Sequence, residues 1–367
     1  MRAKVAAAAL GLIALISVGV WVRRTSQTPG STSASVPRDS SSPKPSAASA
    51  SSVEAARKAA GQFAADRQRL GQGEWAVVRD AAILERGPLG AWDDYRVDSP
   101  IVMTDESGGR GYRMWYRGCH LAMREHSCGV GLATSSDGVV WEKSAKPVFT
   151  PDDPPVQDGL DEIAIVRTGG RYYLWYSVVA DYFSGRPRAT VYLAASTDGL
   201  TWRDEGRVLE GISEQTGAIS HTVAHDGQVF HMWYVTRLSS GESPSLLHFT
   251  SPDGKTWAGT GGTSLNDLNR LDVVHMDRLM ATPSTGGTFR ALFTYENTLR
   301  AMTSPDGTTW TIETIQTDPL KRWSMPRDAI QSLSGVVDRD GLWLWMDLRS
   351  TKDAMRIGVA FRKGSGT

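Results

Sequence analysis

The chain has 367 residues, and its 40 Lys plus Arg balance its 40 Asp plus Glu. No whole-chain field therefore recruits nucleic acid or acidic ligands. Aromatic and β-branched runs through the last three quarters exclude a chain disordered overall, and beyond the first ~70 residues the length fits one large all-β domain better than two.

At the N-terminus, Arg2 and Lys4 precede an apolar stretch from Val5 to Val22, and Arg23 and Arg24 come directly after it. Its 18 residues stand at the lower limit for a helix that spans a bilayer. No Ala-x-Ala site closes the stretch and no Cys lies beyond it to accept a lipid. Residues 1–24 are therefore expected to be an uncleaved signal-anchor rather than a removed signal peptide. Basic residues at both ends leave its orientation open. The expected location is the cell envelope or the exterior, with the rest of the chain exported on a single-pass membrane anchor.

Residues 25–52, rich in Ser, Pro, Thr and Ala, cannot bury a core and read as a disordered linker. Ser51-Ser-Val-Glu54 matches a capping box that opens a helix over 53–71. Ala56, Ala60, Phe63, Ala64 and Ala65 crowd its narrow apolar side, and Gly71 is its stop. A stalk lying against the next domain is the expected role. Glu74 to Arg79 is a strand.

From there two repeats run through the chain. Ser-x-Asp-Gly-x-x-Trp occurs four times, ending at Trp141, Trp202, Trp257 and Trp310, with steps of 61, 55 and 53 residues. Each copy comes after a short apolar strand, and Asp-Gly in that place is a hairpin signal. Gly supplies the positive φ, and the Asp side chain can bond nearby amides. Ahead of each turn lies an aromatic strand: Tyr112-Arg-Met-Trp-Tyr116, Tyr172-Tyr-Leu-Trp-Tyr176, Phe230-His-Met-Trp-Tyr234, Phe289-Arg-Ala-Leu-Phe293 and Leu342-Trp-Leu-Trp345. Five units of ~55 residues with four short antiparallel strands each predict an all-β fold, a five-bladed β-propeller over 74–367. The last unit lacks its own turn motif. The N-terminal strand is expected to complete that blade, with Trp75 as a stand-in for the missing Trp.

Cys119 and Cys128 bracket Cys-His-Leu-Ala-Met-Arg-Glu-His-Ser-Cys between two strands of the first unit. Adjacent strands would bring them within disulfide reach, and an even pair in an exported chain is expected to bridge at the propeller mouth. His120 and His126 make the loop two Cys and two His, but their spacing matches no common zinc pattern. No metal site is expected there.

Propellers keep their repeated turns outside and bind ligands where the innermost strands begin. The turn residues Asp137, Asp198, Asp253 and Asp306 are therefore expected to be scaffold. The five innermost strands carry the candidate chemistry. They are Asp98-Ser-Pro-Ile-Val-Met, Asp158-Gly-Leu-Asp161-Glu162, Gly217-Ala-Ile-Ser-His221 with Glu214 upstream, Asp272-Val-Val-His275-Met-Asp277-Arg278, and Gln331-Ser-Leu-Ser-Gly after Arg327-Asp328. Trp92, Trp323 and Tyr182 fall in mouth loops, where an aromatic ring can stack on a sugar.

The order Asp98-Ser-Pro-Ile-Val, Tyr112-Arg-Met-Trp-Tyr, Gly131-Leu-Ala-Thr-Ser-Ser-Asp-Gly, Trp141-Glu-Lys and Pro147-Val-Phe resembles the five-bladed-propeller glycosidases of glycoside hydrolase families 32, 43 and 68. The resemblance covers about Trp75 to Arg362. It implies a catalytic Asp on the first strand of blade one, a tuning Asp on blade two and a Glu acid on blade three. By position Asp98 matches the first, as base or nucleophile, and Asp161 the second, as the tuner; the third does not transfer by position, and Glu214, a few residues upstream on the loop, is the candidate acid. The stretch from Gly217 lacks the family's Glu-Gly-Pro pattern. His221 and His275 read either as buried, hydrogen-bonded side chains or as sugar contacts, joined in the second case by Asp277 and Arg278. No cofactor is implied, and an axial Ca2+ is left open.

The expected function is a membrane-tethered glycoside hydrolase-like protein, acting on an oligo- or polysaccharide with paired carboxylates across the scissile bond. A monomer is the expected state. Two alternatives stand beside it: a non-catalytic carbohydrate-binding propeller, and a glycoside phosphorylase with a cationic phosphate pocket. A sialidase fits less well, because its Asp-box has one more residue between Asp and Gly, and its propeller has six blades.

Overall fold

A computed structural model describes residues 50–78, 82–105, 111–122, 125–151, 160–180, 188–209, 216–238, 245–264, 280–283, 288–295, 298–313, 332–349 and 355–364. The chain divides into Met1–Ser42 and Pro43–Thr367, and every described residue belongs to the second unit. The expected signal-anchor, and the linker as far as residue 49, lie outside the described residues. Among those described, no helix is long and apolar enough to cross a membrane.

The helix α1 (Ala50–Arg69) begins one residue before the Ser51–Glu54 box and ends as expected near Gly71, whose N–H donates to Glu74 Oε2 at 2.7 Å. Phe63 is its buried anchor, 5.9 Å from the Trp343 ring. One turn on, the Arg67 guanidinium covers Trp343 and Phe361 at 4.2 and 4.1 Å from their centroids. The helix thus lies against the last blade.

Five four-stranded sheets make up the rest. Blade one is β2 (Arg96–Thr104), β3 (Tyr112–Ala122), β4 (Glu125–Ser135) and β5 (Glu142–Lys143). Blade two is β6 (Leu160–Thr168), β7 (Arg171–Ala180), β8 (Arg188–Ser196) and β9 (Arg203–Leu209). Blade three is β10 (Thr216–His225), β11 (Phe230–Leu238), β12 (Ser245–Ser251) and β13 (Ala258–Ser264). Blade four is β14 (Met280–Pro283), β15 (Phe289–Tyr295), β16 (Thr298–Ser304) and β17 (Thr311–Glu313). Blade five has three late strands, β18 (Leu333–Val337), β19 (Gly341–Arg349) and β20 (Met355–Lys363). Its fourth is β1 (Trp75–Val77), which pairs antiparallel with β20 through Trp75 and Arg362. The N-terminal strand completes the last blade, as the missing fifth turn implied.

The four repeated turns share one wiring. Each Ser Oγ accepts the Gly N–H at 2.8–2.9 Å, and each Asp Oδ1 accepts the next two amides at 2.6–2.9 Å. The glycines take φ of +74 to +80°. The Thr256 and Lys255 amides hold the Asp253 carboxyl down to about 2. Those Asp side chains are committed to the scaffold.

The turn also receives the neighbouring blade. Trp115, Trp175, Trp233 and Trp345 donate their indole N–H to the carbonyls of Gly199, Gly254, Gly307 and Gly138 at 2.9, 2.9, 2.7 and 2.9 Å. Each donor sits on the second strand of one blade and each acceptor in the turn of the next. Blade four has Leu292 at the donor position and blade five has no such turn, so this bond is missing from the seam between them, where the described core is apolar. Trp75 stands in there, buried with Leu292, Leu299, Leu344 and Met346. The core accordingly forms five slabs, one per seam, rather than one central mass.

Trp115→Phe removes one such bond and strands the Gly199 carbonyl, for an expected loss of about 1–2 kcal/mol in chemical denaturation. Gly199→Ala is expected to cost more, since its Cβ would stand 2.7 Å from Trp115 Cζ2 at a φ of +74°.

Candidate active site

The heads of the first three innermost strands are irregular. Register shifts interrupt β2 between Asp98 and Ile101, β6 between Leu160 and Ile163, and β10 between Ala218 and Ser220. A bulge re-aims side chains at the point where it falls. At the first of them Ser99, before Pro100, takes a φ of 57°, the one positive φ outside glycine among the described residues. The second strand of a blade supplies the support. Ser177 Oγ accepts the Glu162 amide at 3.1 Å, and Asp347 Oδ1 accepts the Ser332 amide at 2.6 Å. In blade one the same position, directly after the aromatic pair, is Arg117.

Arg117 joins two blades. Its Nε and Nη2 donate to Asp98 Oδ1 and Oδ2 at 2.7 and 3.0 Å, a two-pronged pairing of guanidinium and carboxylate. Its Nη1 donates to Asp161 Oδ1 at 2.7 Å and also to the Asp161 carbonyl. Arg96 makes a further ion pair with Asp98. Burial disfavours charge on Arg117, but Asp98 and then Asp161 outweigh it and raise its pKa above the ordinary arginine value. The two carboxylates differ in access: the Asp98 side chain is 1 % exposed and that of Asp161 33 %.

Blade three faces this pair with neutral groups. His221 is buried, its Nε2 3.4 Å from the Trp175 carbonyl. Burial pushes it down to about 4, against smaller upward effects of that carbonyl and of Asp161. Its cross-strand partner Tyr234 is buried too, and burial with the Asp161 charge raises its hydroxyl above the usual tyrosine range. Near pH 7 both are uncharged.

Near the β3–β4 hairpin, opposite Arg96 of β2, Cys119 and Cys128 pair directly and form the expected disulfide, with Cα atoms 4.1 Å apart. Trp92 is half-buried. It stacks on Tyr116 at 5.8 Å and fills the space over Gly118, where a Cβ would meet the indole at 2.4 Å. Asp93, just after it, accepts from Tyr116 Oη at 3.2 Å and from Lys143 Nζ at 2.6 Å. Asp94 holds His120 Nδ1 at 2.8 Å.

The structure thus brings Asp98, Asp161 and His221 to the axial heads of three adjacent blades. Glu214, His275, Asp277, Arg278, Trp323 and Tyr182 lie outside the described residues. Sequence reasoning passed over Arg117 and Arg96. The available signal was a charged residue directly after Trp115-Tyr116, where the other blades have Ser177, Val235, Thr294 and Asp347.

No protein-family model matches the chain. An uncharacterized protein of Mycobacterium tuberculosis is 28% identical over 187 residues, covering 49% of this chain and 60% of that one. A 1,2-β-oligomannan phosphorylase of Thermoanaerobacter sp. is 30% identical over 146 residues, 40% of this chain and 46% of that one. The alignments therefore span less than two thirds of these relatives. Among solved structures, β-1,2-mannobiose phosphorylase from Listeria innocua aligns with a TM-score of 0.58 at 11% identity, over 79% of this chain and 97% of its own. A family 117 glycoside hydrolase of Zobellia galactanivorans gives 0.56 at 14%, over 80% and 91%. A structure from the GH130 family of mannoside phosphorylases and β-1,2-mannosidic glycoside hydrolases gives 0.54 at 16%, over 79% and 94%. These likenesses establish the fold, a five-bladed β-propeller whose structural neighbours are glycoside hydrolase-like proteins and mannoside phosphorylases.

Arg117→Leu would leave Asp98 ionised and enclosed with one partner fewer, for an expected loss of about 3–5 kcal/mol at pH 7. Urea denaturation of both chains at pH 7 checks it.

Proposed function

We propose that the chain is a glycan-acting enzyme that hydrolyses glycosidic bonds at the axial end of the propeller. The observation that carries this reading is Asp161, a partly exposed carboxylate at the head of an innermost strand, anchored by a guanidinium that Asp98 fixes from behind. A carboxylate positioned by Arg within reach of solvent suits a base or nucleophile at the sugar's anomeric carbon. Asp98 in this arrangement sets the position of Arg117. A second, protonated carboxyl must stand across the scissile bond, and Glu214 is the candidate. Neutral His221 and Tyr234 offer hydrogen bonds without competing for charge, and His275, Asp277, Arg278, Trp92 and Trp323 are the remaining candidates for sugar contact. The relatives named for mannoside chemistry favour β-1,2-linked mannosides as substrate.

The disulfide supports a site of action outside the reducing cytoplasm, consistent with the apolar segment Val5 to Val22 as an export signal or anchor.

Phosphorolysis is the second reading, favoured by the 30%-identical oligomannan phosphorylase. Phosphate would then attack in place of water and leave as the sugar 1-phosphate, so one proton donor would suffice.

Incubation with β-1,2-mannobiose and longer β-1,2-mannooligosaccharides, with and without inorganic phosphate, separates the readings. Hydrolysis releases mannose regardless of phosphate; phosphorolysis yields mannose 1-phosphate only in its presence. Asp161→Asn should lower kcat about 10²–10⁴-fold with the fold intact. Binding of these sugars without turnover would leave the carbohydrate-binding propeller as the function.

A further inference from the structure

A row of four hydrogen-bonded side chains crosses blade three away from the axial site. Asp226, in the turn between β10 and β11, meets His231 Nε2 through Oδ2 at 3.0 Å. His231 Nδ1 lies 3.0 Å from His248 Nε2, on β12. His248 Nδ1 lies 2.6 Å from Thr260 Oγ1, on β13, and that hydroxyl reaches the His248 carbonyl at 3.2 Å. Both imidazoles are buried, at 7 % and 2 % exposure. They belong to the seam with blade four: Phe289 lies 4.7 Å from the His231 ring, and a Cβ on Gly307 would stand 3.0 Å from His248 Cε1. Trp233, whose indole bonds Gly307 across the seam, stacks on His248 at 5.1 Å. The charged groups facing the pair are Asp226, from the β10–β11 turn, and Asp306, from the blade-four turn.

Two ring nitrogens at 3.0 Å share one proton. In the neutral pair, His248 donates to His231, His231 to Asp226, and the Thr260 hydroxyl to His248. With one proton added, His231 donates from both nitrogens, to Asp226 and to His248, while His248 donates to Thr260 and Thr260 to the carbonyl. The bonds along the row survive either way, and only the Thr260 hydroxyl turns, from the His248 ring to the His248 carbonyl. A second added proton sets N–H against N–H across that gap and places two cations in a closed seam.

We propose that His231 and His248 form an acid-sensitive latch between blades three and four, which holds with up to one added proton and releases with two. Burial, then the neighbouring His231, holds His248 down to about 4, with Asp306 opposing. An unfolded histidine takes its proton near pH ~6.5. Between those values the unfolded chain binds more protons, so this stability is complete above the window and falls as the pH drops through it.

The test is thermal melting of the full chain between pH 7.5 and 4.5, beside His248→Gln, which cannot take the second proton. The wild-type Tm is expected to fall about 5 °C further than that of the variant across the range. Equal falls would overturn the latch. If the variant does not fold, the wild-type imidazole NMR signals decide: His248 neutral at pH 5.5 supports the proposal, and half-protonation there overturns it. Hydrogen exchange at the Trp233 indole should rise severalfold between pH 6 and 5 relative to Trp115, once corrected for intrinsic rates; a constant ratio would place the release elsewhere and refute it.

Discussion

The ring depends on one contact made four times, an indole N–H on the second strand of one blade reaching the glycine carbonyl in the turn of the next. A blade alone is a small sheet with two apolar faces and no interior. Its faces become core only when the next blade arrives at the right height and angle, and the indole bond sets both. The turn is built to receive it: Ser and Asp satisfy the loop's amides internally, Gly takes the left-handed backbone, and its carbonyl is left pointing at the neighbour. Post-turn Trp141 and Trp310 share the same carbonyls within their own turns at 3.1 and 3.2 Å, whereas the Trp202 and Trp257 indole nitrogens find no partner among the described residues. Those two act through packing.

The axial site depends on this alignment, because its parts come from different blades. Arg117 and Asp98 belong to one blade and Asp161 to the next, so the bridge between them exists only if the first seam is in register. Enclosing an ion pair is costly unless its geometry is nearly complete. Here the guanidinium has both arms occupied, and the bulged head of β6 is itself held by Ser177 of the second strand. Rigidity around the carboxylates is thus a property of the seam as much as of the residues.

How much of the molecule was legible in the sequence depended on which interactions are local. The turn motif, the aromatic strand and the Cys119–Cys128 bridge rest on chemistry confined to a few residues or to adjacent strands, and they appear where their patterns lie. Closure of blade five by β1 was legible by subtraction, since one turn was missing and one strand was left over. Asp98 and Asp161 were found as acidic residues at strand heads, but their unequal exposure was not legible, because it arises from a bulge and from an arginine in the neighbouring strand. Arg117 stood in view as a charge in an aromatic run, and nothing local marked it as buried.

The seam between blades four and five is closed by apolar contact, with Leu292 where the other donors are Trp and with β1 supplied from the far end of the propeller sequence. Its closing pair, Trp75 with Arg362, joins the two ends of the propeller sequence, so the entropy of closure is met there after the local hairpins have formed. During synthesis the first strand must wait, unpaired, until the last has emerged. Until then blade five exposes an edge that any extended chain can pair with, and the vulnerability of this fold to misassembly is concentrated at that junction.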